Sequence, residues 1–271
     1  MSVEALLVAS NLSHTYPNGA QALKGVTLTV KDGEFIGLIG QNGSGKTTLV
    51  KHFNGLLRPT GGSLTFRGRD TKTMPASLLS ASVGYVFQNP DHQIFANTVY
   101  DEVAFGPRNL KRPPKLVDEQ VRRAVAFMDL EPYLLEHPQS LSRGQRQRLA
   151  IAGVLAMQPD VMILDEPTGG QDRLQTKNLM GLLKDLNSQG HTIILITHDL
   201  ELAAAYCGRV LVMREGKLIL DGPPREVFRE TDLLESARLR APDIFRLSLD
   251  LGWANPTLSV DEFCVARELE K

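Results

Sequence analysis

Short apolar runs recur along the chain with room for a helix between many of them. Glu34-Phe35-Ile36-Gly37-Leu38-Ile39 ends in Gly40, and Val83-Gly84-Tyr85-Val86-Phe87, Val161-Met162-Ile163-Leu164, Thr192-Ile193-Ile194-Leu195-Ile196 and Val210-Leu211-Val212-Met213 follow in turn. These runs lack polar alternation, so they predict strands buried on both faces. Helical periodicity separates several of them, as at 174–186. Strand, helix and strand in alternation predict an α/β fold with a mostly parallel central sheet covered by helices. Residues 5 to about 29 and 62–68 read as shorter strands and turns and predict a small antiparallel β-subdomain. The charged, helix-patterned stretch 111–138, bounded by Pro113-Pro114 and Pro138, predicts a helical insertion. After Gly222-Pro223-Pro224 the character changes to a small helical appendage, and Ser259-Val260-Asp261-Glu262 fits a capping box that opens its last helix. No internal repeat or low-complexity segment interrupts this order.

Composition narrows the class. The chain has 271 residues, 42% hydrophobic and 23% charged, which suits a soluble chain able to bury a full core without disulfides. Thirty Lys and Arg against 31 Asp and Glu leave a formal charge of -1, so nothing draws the whole molecule toward nucleic acid. Cys207 and Cys264 stand far apart, without metal or redox spacing, and are expected to be small buried hydrophobes in a reducing compartment. The first residues lack the basic start and apolar run of a secretion signal, and no apolar stretch reaches the roughly 20 residues of a membrane-spanning helix. A cytosolic protein is expected, held at a membrane only by another protein.

The chemistry concentrates at three places. Gly40-Gln41-Asn42-Gly43-Ser44-Gly45-Lys46-Thr47-Thr48 matches G-x-x-x-x-G-K-T, follows a predicted strand and opens a helical pattern. Glycines let the backbone wrap a phosphate group with N–H groups inward, and the helix N-terminus adds partial positive charge. Lys46 is placed to reach the β- and γ-phosphates, and Thr47 to ligate Mg²⁺. Asp165 and Glu166 close a buried strand: one carboxylate suits a metal-bound water, the next can orient and deprotonate an attacking water. His198 follows the strand 192–197, at the carboxyl edge where open α/β sheets bind ligands. His14, His52, His92, His137 and His191 lack such context and read as surface or packing residues.

Leu141-Ser142-Arg143-Gly144-Gln145-Arg146-Gln147-Arg148 resembles the signature L-S-x-G-Q-x-Q-R of the ATP-binding-cassette (ABC) nucleotide-binding domains, and the motifs from about 5 to 228 occur in that family's order. The resemblance implies a P-loop NTPase fold of ABC type with ATP and Mg²⁺ as its ligands. It implies one cassette over 1–228, a helical subdomain at about 88–158, and a C-terminal helical domain over 229–271 that aids dimerisation. By the same resemblance Tyr16 stacks on adenine, Gln88 contacts Mg²⁺ and the attacking water, and Asp165 and Glu166 are the Mg²⁺-linked acid and the base. His198 is then the switch histidine near the γ-phosphate, and Asp172 lies on the loop crossing the dimer interface. Ser142, Arg143, Gly144 and Gln145 belong to the signature offered to a partner's ATP in a head-to-tail dimer.

Phe87-Gln88-Asn89-Pro90-Asp91-His92-Gln93-Ile94-Phe95, continued by 98–107, is similar to the ATPases of energy-coupling-factor (ECF) importers for vitamins or cobalt and nickel ions. That likeness implies a second ATPase subunit, an integral membrane coupling subunit, a substrate-binding membrane subunit, and a peripheral position on the cytoplasmic face of the membrane. Asp91, Gln93, Ile94 and Phe95, on a helix expected to start at Pro90, are the expected coupling surface. Two departures stand out: Arg143 where the family usually has Gly, and Gly169-Gly170-Gln171-Asp172 in place of Ser/Ala-x-Leu-Asp. The position of Arg143 varies in the family, so activity is expected, while the Gln and extra Gly at a subunit interface bear on how tightly the dimer closes and whether both sites are equally active. A soluble ABC ATPase without a transport role is the alternative reading, and a module that binds ATP without turnover is a third, disfavoured by Glu166 and His198.

Overall fold

The computed structural model describes residues 5–269, so the outer ends of the two expected domains lie outside the described residues. Two long antiparallel strands open the chain, β1 (Ala5–Thr15) and β2 (Gln21–Lys31). β3 (Phe35–Gly40) enters a second sheet and leads into α1 (Lys46–Phe53). β4 (Gly61–Phe66) and β5 (Arg69–Asp70) complete the first sheet in the order β2-β1-β4-β5. After α2 (Ala76–Ser82) and β6 (Val83–Val86) come three helices, α3 (Val99–Asn109), α4 (Pro114–Phe127) and α5 (Arg143–Leu155). The chain then alternates through β7 (Val161–Asp165), α6 (Arg173–Ser188), β8 (Thr192–Ile196), α7 (Leu200–Tyr206) and β9 (Arg209–Arg214), and turns back as β10 (Lys217–Gly222). Four short helices form the tail: α8 (Pro224–Val227), α9 (Thr231–Ser236), α10 (Asp243–Asp250) and α11 (Val260–Leu269).

The larger sheet runs β10-β9-β3-β8-β7-β6 and is parallel except for β10. Its strands do alternate, but between two apolar layers. In β7, Met162 and Leu164 join the core toward the helical subdomain, while Val161 and Ile163 join the core under the antiparallel sheet. Ile193 and Leu195 of β8 likewise oppose Ile194 and Ile196. With no wet face, period two leaves no polar trace in the sequence. β10 escaped sequence reading because it is a half-exposed edge strand with Lys217 and Asp221 among its residues.

Register aligns the site. Leu38 of β3 pairs with Ile196 of β8, and Asp165 of β7 pairs with the same Ile196. The residues just beyond this row, Gly40, Glu166 and His198, therefore emerge together at the carboxyl edge.

Three expectations are corrected. No α-helix starts at Pro90: residues Pro90–His92 form a single 3-10 turn held by the Asn89 side chain, which accepts from Asp91 N at 3.1 Å. Ile94 is drawn into the core with Val99, Val103 and Ile151, and the α-helix starts only at Val99, capped by Thr98. Part of the tail's apolar set covers the chain's own core. Leu234 and Phe245 are buried in one cluster with Ile39, Val210 and Phe228, while Leu233 and Leu247 stay exposed. Second, Cys207 is buried but Cys264, expected to be buried, is exposed. Third, at α11 Ser259 Oγ accepts from Glu262 N at 3.1 Å, but the Glu262 carboxylate takes Leu258 N and Arg225 instead of closing the expected box.

Candidate active site

The loop after β3 is shaped by two glycines. Gly40 has φ +147°, and a Cβ there would lie 2.3 Å from the Met213 carbonyl oxygen. Gly45 has φ +105°, and its Cβ would meet the Ala22 carbonyl at 2.7 Å. Only glycine fits either place. Gly45 precedes α1 without any side-chain cap, so the first N–H groups of that helix are left for a ligand. The buried Ser44 hydroxyl has no partner, and Lys46 Nζ donates to Gly40 O at 2.6 Å and Gln41 O at 2.9 Å, leaving its third proton to spare. Burial holds the Lys46 ammonium below its ordinary pKa, against the opposing pull of Glu166 and Asp165. An uncapped helix start, an orphaned hydroxyl and a desolvated ammonium together fit a polyphosphate.

Asp165 ends β7, and Glu166 turns the backbone left-handed at φ +48°. That conformation is unfavourable for a side chain and marks a site where direction matters more than local comfort. Glu166 N bonds to Ile196 O at 2.9 Å, and Glu166 Oε1 lies 2.8 Å from His198 Nδ1. The imidazole is mostly exposed while the carboxylate is mostly buried, so His198 covers Glu166 from the solvent side.

Sequence reasoning missed Tyr85. Its half-buried hydroxyl donates to Asp165 Oδ2 at 2.5 Å; burial, then the adjoining carboxylate, hold the phenol far above its ordinary pKa, so it stays a donor. It engages one oxygen of Asp165, a residue that lines the cleft. Its place depends on the pairing of β6 with β7, for which the sequence carries no local signal.

These groups share an open cleft of about 990 Å³, lined by Tyr16, the loop from Gly40 to Thr48 apart from Ser44, Gln88, Asp165, Glu166, His198 and, from the tail, Leu239. Gln41, Asn42 and Gly43 form its outer lip, exposed to solvent. The volume suits a nucleoside triphosphate. Thr47, Gln88 and Asp165 bring hydroxyl, amide and carboxylate oxygens to it, a hard donor set that fits Mg²⁺. The Tyr16 hydroxyl lies 3.1 Å from Thr48 Oγ1. Two histidines set aside as packing brace this corner: His52 Nδ1 donates to Thr48 O at 2.7 Å, so its Nε2 accepts from His14 Nδ1 at 3.1 Å. The His14 ring meets Tyr16 edge-on at 4.7 Å.

The signature lies outside that cleft. Ser142 caps α5 in a closed capping box with Gln145. Ser142, Gly144 and Gln145 line a separate recess with Gln171, Gln175 and Asn178. Asp172 caps α6 through Gln175 N at 2.8 Å, and Arg143 is exposed. Of the residues expected to couple to a partner, Asp91 is ion-paired with Arg146 at 2.8 Å, and Gln93 reaches Phe87 N and Ala150 O, both at 3.3 Å. Ile94 is buried; Phe95 is exposed and meets the exposed Phe105 edge-to-face at 4.7 Å.

Residues 23–169 match the family described as ABC transporter. The chain is 49% identical over 259 residues to a putative ABC transporter ATP-binding protein of Caldanaerobacter subterraneus, covering 96% of this chain and 45% of that protein. It is 46% identical over 244 residues to the energy-coupling factor transporter ATP-binding protein EcfA of Methanocaldococcus jannaschii, covering 89% of this chain and 88% of that one. Among solved structures, cbiO1 from Clostridium perfringens, part of the ABC transporter complex cbiONQ, superposes with a TM-score of 0.79 at 40% identity, covering 90% of this chain and 98% of that one. The chain spans less than half the length of the first curated relatives it matches.

Proposed function

The chain belongs to the ABC transporter family of ATP-binding cassettes, and from that premise we propose that it hydrolyses ATP to drive an ECF-type importer of a vitamin or transition-metal ion. One observation carries the reading: Lys46, Asp165, Glu166 and His198 meet in one cleft, while the signature of the same chain faces elsewhere. A cleft with cation, base and loop N–H groups but no signature is half of a site, and a second cassette turned head to tail supplies the rest.

Lys46 and the α1 N–H groups hold the β- and γ-phosphates, and Tyr16 flanks the base. Thr47, Gln88 and Asp165 would hold Mg²⁺, which would neutralise charge on the phosphate oxygens. Glu166 takes the proton of the attacking water, and His198 keeps its carboxylate aimed. The partners are a second ATPase subunit, an integral membrane coupling subunit and a substrate-binding membrane subunit; nucleic acid is not among them. No helix among the described residues is long and apolar enough to cross a membrane, so the chain's place at the cytoplasmic face rests on those partners.

The exposed Phe95–Phe105 pair, seven residues beyond Gln88 at its nearer end, is the contact offered to the coupling subunit. A Phe95→Ala, Phe105→Ala double variant is expected to keep the isolated chain's ATPase rate within about twofold. It should lose most substrate uptake into vesicles carrying the membrane subunits, by roughly tenfold for two aromatic anchors. Wild-type uptake by an intact complex would remove this surface from the coupling path.

A further inference from the structure

The two places where the chain departs from the signature and interface patterns touch each other. Gly170 has φ +73°, and a Cβ built on it would lie 2.4 Å from Arg143 Nη1, 2.6 Å from Cζ and 3.1 Å from Nη2. The guanidinium therefore lies against the bare face of that glycine. Any side chain at 170 would displace it and would also be strained by the left-handed backbone. The contact is part of a wider seam, since a Cβ on Gly144 would stand 3.3 Å from Gln175 Oε1, where the first turns of α5 and α6 meet.

Gly170 sits in a tightly wound turn that begins at the base. Gly169 N bonds to Glu166 O at 3.1 Å, Gln171 N to Thr168 O at 3.2 Å, and Gln171 Nε2 to Pro167 O at 3.0 Å. The turn then hands over to Asp172, the cap of α6. Arg143 itself is the first residue of α5, directly after the cap Ser142. A planar, weakly hydrated guanidinium loses less on being held against the backbone than a compact, strongly hydrated ammonium would.

We infer that Arg143 is a positioning residue: packed against Gly170, it fixes the turn that carries Glu166, and so ties the signature of a chain to the catalytic base of the same chain. Resting on the head-to-tail reading above, the link has a direction. Ser142 and Gly144 touch the partner's ATP, Arg143 passes their position to the 166–171 turn, and that turn aims the carboxylate at the chain's own ATP. The pair Arg143 and Gly170 is then one device rather than two separate departures.

Arg143→Ala and Arg143→Lys in the full chain test it by hydrogen exchange resolved over 166–172 together with steady-state kinetics. Arg143→Ala is expected to speed exchange at the Gly169 and Gln171 amides by about five- to tenfold, and to lower kcat by about three- to tenfold with KM within about twofold. Arg143→Lys should behave like Arg143→Ala, because the charge remains and the flat guanidinium contact with Gly170 does not. Unchanged exchange with a raised KM that Lys restores would mean that the side chain serves a phosphate, and would overturn the inference. So would exchange and rates equal to wild type. A wild-type chain without ATPase activity would overturn the proposed function instead, and the exchange result would still decide the contact.

Discussion

Replacing Glu166 with Gln is expected to leave ATP binding intact and to slow turnover by roughly 10²–10⁴-fold, the usual contribution of a positioned general base. The amide has the shape of the carboxylate and can still accept from His198 Nδ1, which lies 2.8 Å from Oε1 in the wild type. The left-handed backbone at φ +48° is equally awkward for both residues, so the swap removes the base with little disturbance of its setting. ATP should then be trapped between two cassettes, read as an ATP-dependent dimer in sedimentation with little phosphate released. Turnover near the wild-type rate would place the base elsewhere.

Lys46→Ala acts earlier. Among the described residues lining the cleft, Lys46 carries the only permanent positive charge. Its ammonium is held desolvated against the pull of Glu166 and Asp165, poised for phosphate in place of Gly40 O and Gln41 O. Truncating one member of a buried charge pair costs about 3–4 kcal/mol, which is roughly 10²–10³-fold in affinity. Calorimetric titration with ATP should therefore give no usable binding isotherm. An unchanged affinity would mean that this loop is not where the nucleotide is held.

The parts of this site that a reader can find in the sequence are those that follow a strand directly. Gly40, Asp165, Glu166 and His198 each close or immediately succeed an apolar run, and parallel pairing brings such ends to one edge. Tyr85 was not legible, because its role depends on which strand lies beside β7. The same holds for His14 with His52, 38 residues apart, and for Arg143 with Gly170: neighbours in space with no shared periodicity. At 89–95 a valid rule met a stronger one. Pro90 does open a turn, but the Asn89 side chain closes it locally and burial of Ile94 pulls the chain inward before a helix can grow. In the tail, an apolar set shows that something is covered without saying which surface.

What the tail covers includes Ile39, the residue before Gly40, in a common cluster with Leu234 and Phe245. Asp243 N also bonds to Glu201 Oε1 at 2.7 Å, on the helix that follows His198. Cassette and tail are therefore expected to melt as one unit. A calorimetric scan of the chain should show a single heat-absorption peak rather than a weak tail transition ahead of a stronger one, and ATP should move that peak upward as a whole. Prying the tail away would loosen the floor of the phosphate loop, so whatever grips the tail also acts on the nucleotide.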